Sequence, residues 1–204
     1  MATPTNTNIT LASFYNDEGK LIKINIRKYY DYLNKQDKNE ISDFIYQRLF
    51  CRYIKPFLFD NENFKREYRN GFSIMANCCL LIETLQSFRN GWGDTDKKSK
   101  LAFQQFLTSD KFFIELNSFQ DAFYINVRCG ILHQGETNGG WKISRSHKKL
   151  FDSASFTIDA LTFLNRLVKS LKTYCDELKT EDWNSKSWKN CRAKIKRIIV
   201  NCQC

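Results

Sequence analysis

Residues that break secondary structure are scarce in this chain. Its 204 residues include only 2 Pro and 8 Gly. Proline and glycine end helices and build tight turns, so their scarcity favours a few long helices over many short strands. Hydrophobic residues make up 42% of the chain and aromatic residues 15%, which excludes an intrinsically disordered chain.

Sequence features that mark several classes of protein are also missing. The polar start, residues 1–8, lacks the apolar core of a secretory signal. No run reaches the roughly 18 apolar residues that a membrane-spanning helix needs. The eight cysteines therefore predict reduced thiols in the cytoplasm. Because there is no CxxC pair and no histidine at zinc-finger spacing, we expect neither a metal nor a cofactor.

The chain is strongly basic, with 32 Lys and Arg against 22 Asp and Glu and a net charge of +10. Such an excess favours a polyanionic partner, either a nucleic acid or an anionic membrane surface. The charge alone is equally typical of a soluble protein with a basic surface and no such partner.

Hydrophobic periodicity predicts an all-α protein. Residues 1–10 are expected to form a flexible tail, and residues 11–204 a single helical-bundle domain, since no repeat or linker divides the chain. Residues 141–144 are expected to be extended, as a short hairpin-like excursion from the bundle. The predicted helices span 22–34, 39–55, 61–90, 99–108, 118–134, 153–179 and 185–201.

The stretch 72–88, FSIMANCCLLIETLQSF, is apolar on every side of a helix and is therefore predicted to be buried nearly all round. Its only charged residue is Glu83. A buried carboxylate without a partner is unfavourable, so Glu83 is expected to have a cation or hydrogen-bond donors nearby, within reach of Arg128 or His133. The alternative is that Glu83 reaches solvent or pairs in a purely structural way.

A second largely apolar stretch, 118–134, carries Asn126, Arg128 and His133. An ideal α-helix places Arg128 and His133 about 140° apart and about 7.5 Å along the axis, so they are not direct neighbours, although both can converge on one anion. Gly130 shares a face with Asn126 and His133, where it would allow close approach by a partner helix or a ligand. The other histidine, His147, lies in a basic polar stretch and is expected to be a solvated loop residue.

The sequence from Arg128 to His133, RCGILH, resembles the R-x4-6-H motif of the HEPN superfamily (higher eukaryotes and prokaryotes nucleotide-binding). The stretch NVRCGILHQGETNGGW is similar to HEPN proteins of prokaryotic defence and toxin–antitoxin loci. This resemblance is specific over residues 119–141 and rests elsewhere on helix order. It implies a helical bundle that forms a homodimer with the two motif helices facing each other. Many members cleave RNA without a metal, so the resemblance also implies this activity.

The resemblance implies that Arg128 and His133 are catalytic residues. Glu83, Asn126 and Gln134 are expected to support them. Arginine clamps phosphate oxygens with paired N–H groups, and histidine exchanges protons near neutral pH. This pair therefore suits RNA cleavage by the 2′-hydroxyl.

Two positions depart from the family pattern. Cys129 stands where many members have Asn, Asp or His after the motif arginine. Gly135 stands where some toxin–antitoxin members have a tyrosine that is adenylylated, so this form of control is not expected here.

The expected function is therefore an endoribonuclease that leaves 2′,3′-cyclic phosphate ends, as a toxin or antiviral defence effector. A neutralising or regulatory protein is a further candidate partner. The main alternative is a non-catalytic HEPN module that binds a nucleotide or dimerises with another protein. A third hypothesis is a basic protein bound to a membrane surface, which liposome flotation without RNA would detect.

The last predicted helix is basic, with no acidic residue from position 184 to 204. Its apolar stripe is expected to pack on the domain and leave a basic outer face. Such a face is as often merely solvated, but lysine and arginine also bind RNA phosphates. We expect Lys189, Arg192 and Lys196 to bind RNA. The six basic residues are Lys186, Lys189, Arg192, Lys194, Lys196 and Arg197, and the stripe is Trp188, Cys191, Ile195, Ile198 and Cys202.

Overall fold

The computed structural model describes residues 6–58, 63 and 67–203. The described chain is mostly helical, as predicted, but it also contains two small sheets, so the all-α prediction is only partly right. The helices are α1 (Ile26–Asn34), α2 (Lys38–Leu49), α3 (Gly71–Asn90), α4 (Ser99–Ser109), α5 (Gln120–Phe123), α6 (Gly130–Gln134), α7 (Ala160–Thr180) and α8 (Lys186–Asn201). The strands are β1 (Thr10–Tyr15), β2 (Leu21–Asn25), β3 (Lys142–Ser144), β4 (Phe151–Asp152) and β5 (Thr157–Asp159).

The first sheet is an antiparallel pair of β1 and β2, in which Phe14 lies opposite Ile22. The helix predicted over 22–34 is therefore wrong at its start, because α1 begins only at Ile26. The sequence LIKIN of β2 alternates apolar and polar residues, the pattern of a half-buried strand. Asn25 then caps α1, since its side chain accepts a hydrogen bond from the N–H of Lys28.

The flexible tail predicted over residues 1–10 is wrong at its end, because residues 7–10 form backbone hydrogen bonds. Residues 1–5 of that expected tail lie outside the described residues. The carbonyl oxygens of Thr7 and Ile9 accept hydrogen bonds from the N–H groups of Arg27 and Ile26, and β1 begins at Thr10. Residues 7–10 are therefore held against the start of α1.

The second sheet has the strand order β3-β5-β4, with β5 parallel to β3 and antiparallel to β4. The extended segment predicted over 141–144 is confirmed as β3. It is not part of a hairpin, because its neighbour in the sheet is β5. The helix predicted over 153–179 begins only at Ala160, where Asp159 accepts a hydrogen bond from the N–H of Thr162 and so caps α7.

The other predicted helices are present with shifted bounds. The segment 39–55 forms α2, a π-helical turn (Phe50–Ile54) and a 3-10 turn (Lys55–Phe57). The segment 61–90 forms α3 from Gly71 onward, and residues 59–62 and 64–66 lie outside the described part. The helices predicted over 99–108 and 185–201 are confirmed as α4 and α8. Among the residues described, none of the helices is both long and apolar enough to cross a membrane.

The chain divides into two compact units, whose bounds no linker in the sequence marks. The first unit comprises the described residues of 1–52, 87–94 and 171–204, and the second comprises those of 53–86 and 95–170. In the first unit, the fully buried Trp188 donates its indole N–H to the carbonyl oxygen of Leu178 at 2.9 Å. This hydrogen bond satisfies the polar atom of a large core side chain.

The core of the second unit is built from phenylalanines. Phe113 and Phe163 meet edge to face with ring centroids 4.8 Å apart, and Phe123 stacks on Phe163 at 5.6 Å. All three rings are fully buried. Because Phe123 is the last residue of α5, this packing fixes the segment that carries the predicted catalytic residues.

Candidate functional site around Arg128 and His133

The segment predicted as one helix over 118–134 consists of shorter helical pieces. After a 3-10 helix (Lys111–Phe119), α5 leads into a π-helical turn (Tyr124–Cys129) and then α6. We call residues 120–134 the motif helix. A π-helical turn accommodates one extra residue and is frequent at functional sites, and Arg128 lies within it. The helix ends at Gly135, as predicted, with a φ of +74° that favours glycine.

Arg128 and His133 are in direct contact, with Nη1 of Arg128 3.1 Å from Nε2 of His133. Ideal helical spacing did not predict this contact, because it ignores the reach of the long arginine side chain. An arginine nitrogen can only donate, so Nε2 of His133 is the acceptor in this hydrogen bond. The exposed imidazole therefore lies beside a fixed positive charge, and its Nε2 lone pair is held by the Arg128 N–H until that N–H moves to another acceptor.

Glu83 holds the other side of the guanidinium. Its Oε1 lies 2.9 Å from Nε and 2.7 Å from Nη2 of Arg128. The prediction that Glu83 lies within reach of Arg128 or His133 is confirmed for Arg128. The side chain of Glu83 is only 11% exposed and that of Arg128 only 14%, so this is a largely buried ion pair. Burial acts to lower the pKa of Arg128, but the hydrogen bond and the charge of Glu83 outweigh it and raise that pKa.

Two hydroxyl groups that no sequence pattern singles out fix the carboxylate. Ser99 donates to Oε1 of Glu83 at 2.8 Å, and Thr95 donates to Oε2 at 2.9 Å. They lie 16 and 12 residues from Glu83, so no local pattern could have identified them. With both oxygens held, the carboxylate presents a fixed face to the guanidinium.

The guanidinium of Arg128 is also supported from within the motif helix. Its central carbon lies 5.6 Å from the ring centroid of Tyr124, one helical turn earlier, in a cation–π contact. A side-chain hydrogen bond with Cys129 also acts to raise the pKa of Arg128. A guanidinium whose N–H groups turn from such partners to a phosphate can form two hydrogen bonds with that one group.

Gly130 makes room for the protein's own loop and not, as predicted, for a partner helix or a ligand. A Cβ at Gly130 would lie 2.3 Å from the carbonyl oxygen of Glu136. The Asn138 N–H donates to the carbonyl oxygen of Asn126 at 2.9 Å, and the Asn126 side chain packs against Gly139. Asn126 thus holds the loop after the motif helix.

The remaining predictions near this segment concern Gln134 and His147. Gln134 is exposed at the end of the motif helix. His147 is not a freely solvated residue. Its backbone N–H donates to the Asp159 carboxylate at 2.9 Å, and the Nε2 atom of its imidazole lies 3.7 Å from Oδ2 of Asp152. A hydrogen bond from Ser155 lowers the pKa of the Asp152 carboxyl, which keeps this carboxylate charged beside the imidazole.

The basic helix α8 presents only part of its charge to solvent. Arg192 lies 4.6 Å from the Trp183 ring and donates to the Trp183 carbonyl oxygen at 2.7 Å. Lys194 donates to the carbonyl oxygen of Gly93 at 3.0 Å. The predicted apolar stripe is confirmed for Trp188, Cys191 and Ile195, whereas Ile199 is buried in place of the half-buried Ile198 and the exposed Cys202. The exposed cations of α8 are Lys186, Lys189, Lys196 and Arg197.

This geometry sharpens the RNA-binding prediction for α8. Reversing Lys186, Lys189 and Lys196 to glutamate is expected to weaken RNA binding and to lower the slope of log affinity against log salt by about 0.7 for each phosphate that is no longer bound. Arg192 is left unchanged because its reversal would also break the Trp183 contact. Fluorescence anisotropy across a salt series measures both quantities. Unchanged affinity at every salt concentration would show that this face does not bind RNA.

Comparisons with known proteins identify no relative of this chain. No protein-family model matches it, and neither a curated protein nor a solved structure matches it significantly. Within the described ranges, no group of three or more His, Cys, Asp or Glu side chains is arranged to hold a metal ion. Function is therefore inferred from the contacts that Arg128 makes.

Proposed function

We propose that this chain is a HEPN-type endoribonuclease whose catalytic residues are Arg128 and His133. The observation that carries the proposal is the contact of 3.1 Å between the guanidinium and the imidazole, with the buried Glu83 fixing the guanidinium from the other side. A structural ion pair requires only Glu83 and Arg128. The exposed, proton-accepting His133 is what adds the capacity for acid–base chemistry.

RNA supplies its own nucleophile in this mechanism. When Arg128 turns its Nη1 N–H from His133 to a phosphate oxygen, the lone pair of Nε2 of His133 becomes available and takes the proton of a 2′-hydroxyl. The resulting oxygen attacks the adjacent phosphorus. Arg128 holds the phosphate oxygens and offsets the negative charge that builds up on them. The bond to the 5′-oxygen then breaks, this oxygen receives a proton, and the products are a 2′,3′-cyclic phosphate and a 5′-hydroxyl. DNA has no 2′-hydroxyl and is expected to remain intact.

The proposal includes a homodimer, because one imidazole cannot accept and donate a proton at two oxygens in the same step. A second copy would supply a second His133 as the acid. We choose two exposed apolar residues as the surface that the second copy covers: Leu80 lies three residues before Glu83, and Ile125 three residues before Arg128. Both are on helices that carry site residues.

The chain is therefore expected to be a symmetric dimer at micromolar concentration. Replacing Ile125 with glutamate should shift the mass measured by light scattering to that of a monomer and abolish cleavage. The matched control is Ile114→Glu, since Ile114 is also an exposed apolar residue but lies outside the motif helix. A wild-type chain that stays monomeric would rule out the shared site.

The proposed activity is tested by incubating the purified chain with total RNA in the presence of EDTA. Wild type is expected to cut RNA and leave 2′,3′-cyclic phosphate ends, and His133→Ala to leave the RNA intact. Binding of RNA or nucleotides by both forms without any cleavage would instead favour a non-catalytic HEPN module. Cleavage that stops in EDTA would contradict the metal-independent mechanism.

A further inference from the structure

The connection between β4 and β5 displays an aromatic ring on a strained backbone. Phe156 has a φ of +49° and is 38% exposed. A bulky residue rarely adopts positive φ, and such strain occurs preferentially where function requires it. Lys148, which precedes β4, also has a positive φ, of +65°.

The neighbours of Phe156 support its ring without stacking on it. Trp141, Phe151 and Phe119 have ring centroids 5.6, 6.5 and 6.4 Å from that of Phe156, at interplanar angles of 51°, 59° and 81°. By contrast, Trp141 and Phe151 stack on each other at 13°. The steep angles mean that none of these three rings lies flat against the face of Phe156.

Exposed cations precede this ring in the sequence. Lys142, Lys148 and Lys149 are all exposed, and the N–H of Lys142 donates to the carbonyl oxygen of Phe156 at 2.9 Å. The two acids of the segment 142–159 are engaged locally. Asp152 accepts from the Ser155 hydroxyl at 2.6 Å, and the buried Asp159 caps α7.

We propose that Phe156 is a stacking platform for a base of single-stranded RNA, with Lys142, Lys148 and Lys149 as contacts for the flanking phosphates. Aromatic rings on which bases stack, together with cations that contact the backbone, are how proteins bind single strands without reading sequence. Phe156 is partly exposed, and exposed lysines lie in the same segment. Duplex RNA is a poor ligand for it, because the bases of a duplex are already stacked on one another. The inference rests on the proposed ribonuclease function and extends it by naming an RNA-binding contact apart from Arg128 and His133.

The chain itself connects the platform to the proposed catalytic residues. Residues 134–141 lead from the end of the motif helix to Trp141, which packs against Phe156. Within this connection, the Thr137 hydroxyl donates to the Trp141 carbonyl oxygen at 2.6 Å. The backbone N–H of Trp141 donates to the carbonyl oxygen of Asn138 at 3.1 Å. Both features belong to the second compact unit.

The test uses the full-length chain with His133→Ala, so that RNA binding is measured without cleavage. The probes are a fluorescein-labelled single-stranded RNA oligonucleotide of mixed sequence and a labelled hairpin duplex. Adding Phe156→Leu, which keeps an apolar side chain in the cluster but removes the flat ring, is expected to weaken single-strand binding about 5- to 100-fold. Phe156→Tyr should bind like the parent, and duplex binding should change little in either variant.

The matched control is Tyr15→Leu, which removes an exposed aromatic ring from β1 and is expected to leave binding unchanged. Single-strand affinity that is unaffected by Phe156→Leu, or reduced equally for single strand and duplex, would overturn the platform. Should the leucine variant fold poorly, ultraviolet crosslinking of RNA to the parent chain gives a second readout. The crosslinked base is expected on Phe156, and crosslinks confined to peptides without Phe156 would overturn the proposal.

This design separates the platform from the nuclease. Binding that depends on Phe156 in a chain whose wild type cuts no RNA would support the platform and contradict the ribonuclease. Cleavage by wild type together with unchanged binding in Phe156→Leu would support the ribonuclease and contradict the platform.

Discussion

Replacing Arg128 with alanine is expected to lower the free energy of unfolding by about 3 kcal/mol, the lower end of the range for breaking a buried ion pair. The substitution leaves the carboxylate of Glu83, whose side chain is 11% exposed, without its cation. The hydroxyl groups of Thr95 and Ser99 still donate to it, which is why the lower end of the range applies. Urea unfolding followed by circular dichroism measures the change.

The control for this prediction removes both charges at once. The double variant Glu83→Gln with Arg128→Met removes both charges of this pair and is expected to recover most of the stability. An Arg128→Ala variant within about 0.5 kcal/mol of wild type, the usual range for a surface substitution, would show that the pair is effectively solvated. The cleavage rate of Arg128→Ala must therefore be divided by the fraction of the chain that is folded before it is compared with that of wild type.

His133→Ala is expected to slow RNA cleavage by about 10²- to 10⁴-fold, the usual contribution of a general acid or base, with little change in stability. His133 is exposed, and its removal leaves Nη1 of Arg128 open to water, so no buried charge is deprived of its partner. Single-turnover cleavage of a short RNA oligonucleotide measures the rate, and circular dichroism checks the fold.

The chain offers a matched control in its other histidine. His147→Ala removes an imidazole from the same compact unit and should leave the cleavage rate close to that of wild type. Equal decreases in both variants would assign the effect to folding or to charge. A His133→Ala variant that retains full activity would remove this residue from the mechanism.

The sequence predicted one contact among the proposed site residues and missed another. Glu83 was identified because it is the lone charge in a stretch that is apolar all round, and its partner is indeed a cation on the motif helix. The direct contact of Arg128 with His133 was missed, because helical angles describe where a side chain starts and not how far it reaches. Gly130 was misassigned because a sequence does not show which backbone lies against a glycine.

Two strands, β2 and β5, were predicted as parts of helices, because a local helical pattern concealed segments that are stabilised by pairing with other strands. The tyrosines after residue 28 favoured a helix over 22–34, and they outweighed the alternation in β2. Likewise, the strand β5 was absorbed into the helix predicted over 153–179. Its stability depends on β3 and β4 on either side, and pairing between strands is not encoded in the periodicity of one segment.

The loop that closes over Gly130 also bears on which parts of the site open together. The N–H groups of Gly135 and Asn138 donate to Ile131 and Asn126, so these hydrogen bonds close short stretches of chain at a small cost in loop entropy. The ion pair of Glu83 with Arg128 joins residues 45 positions apart and requires tertiary packing. In native-state hydrogen exchange, the amide of Asn138 should exchange together with those of the motif helix. The loop and the segment that carries the imidazole would then open and close as one unit.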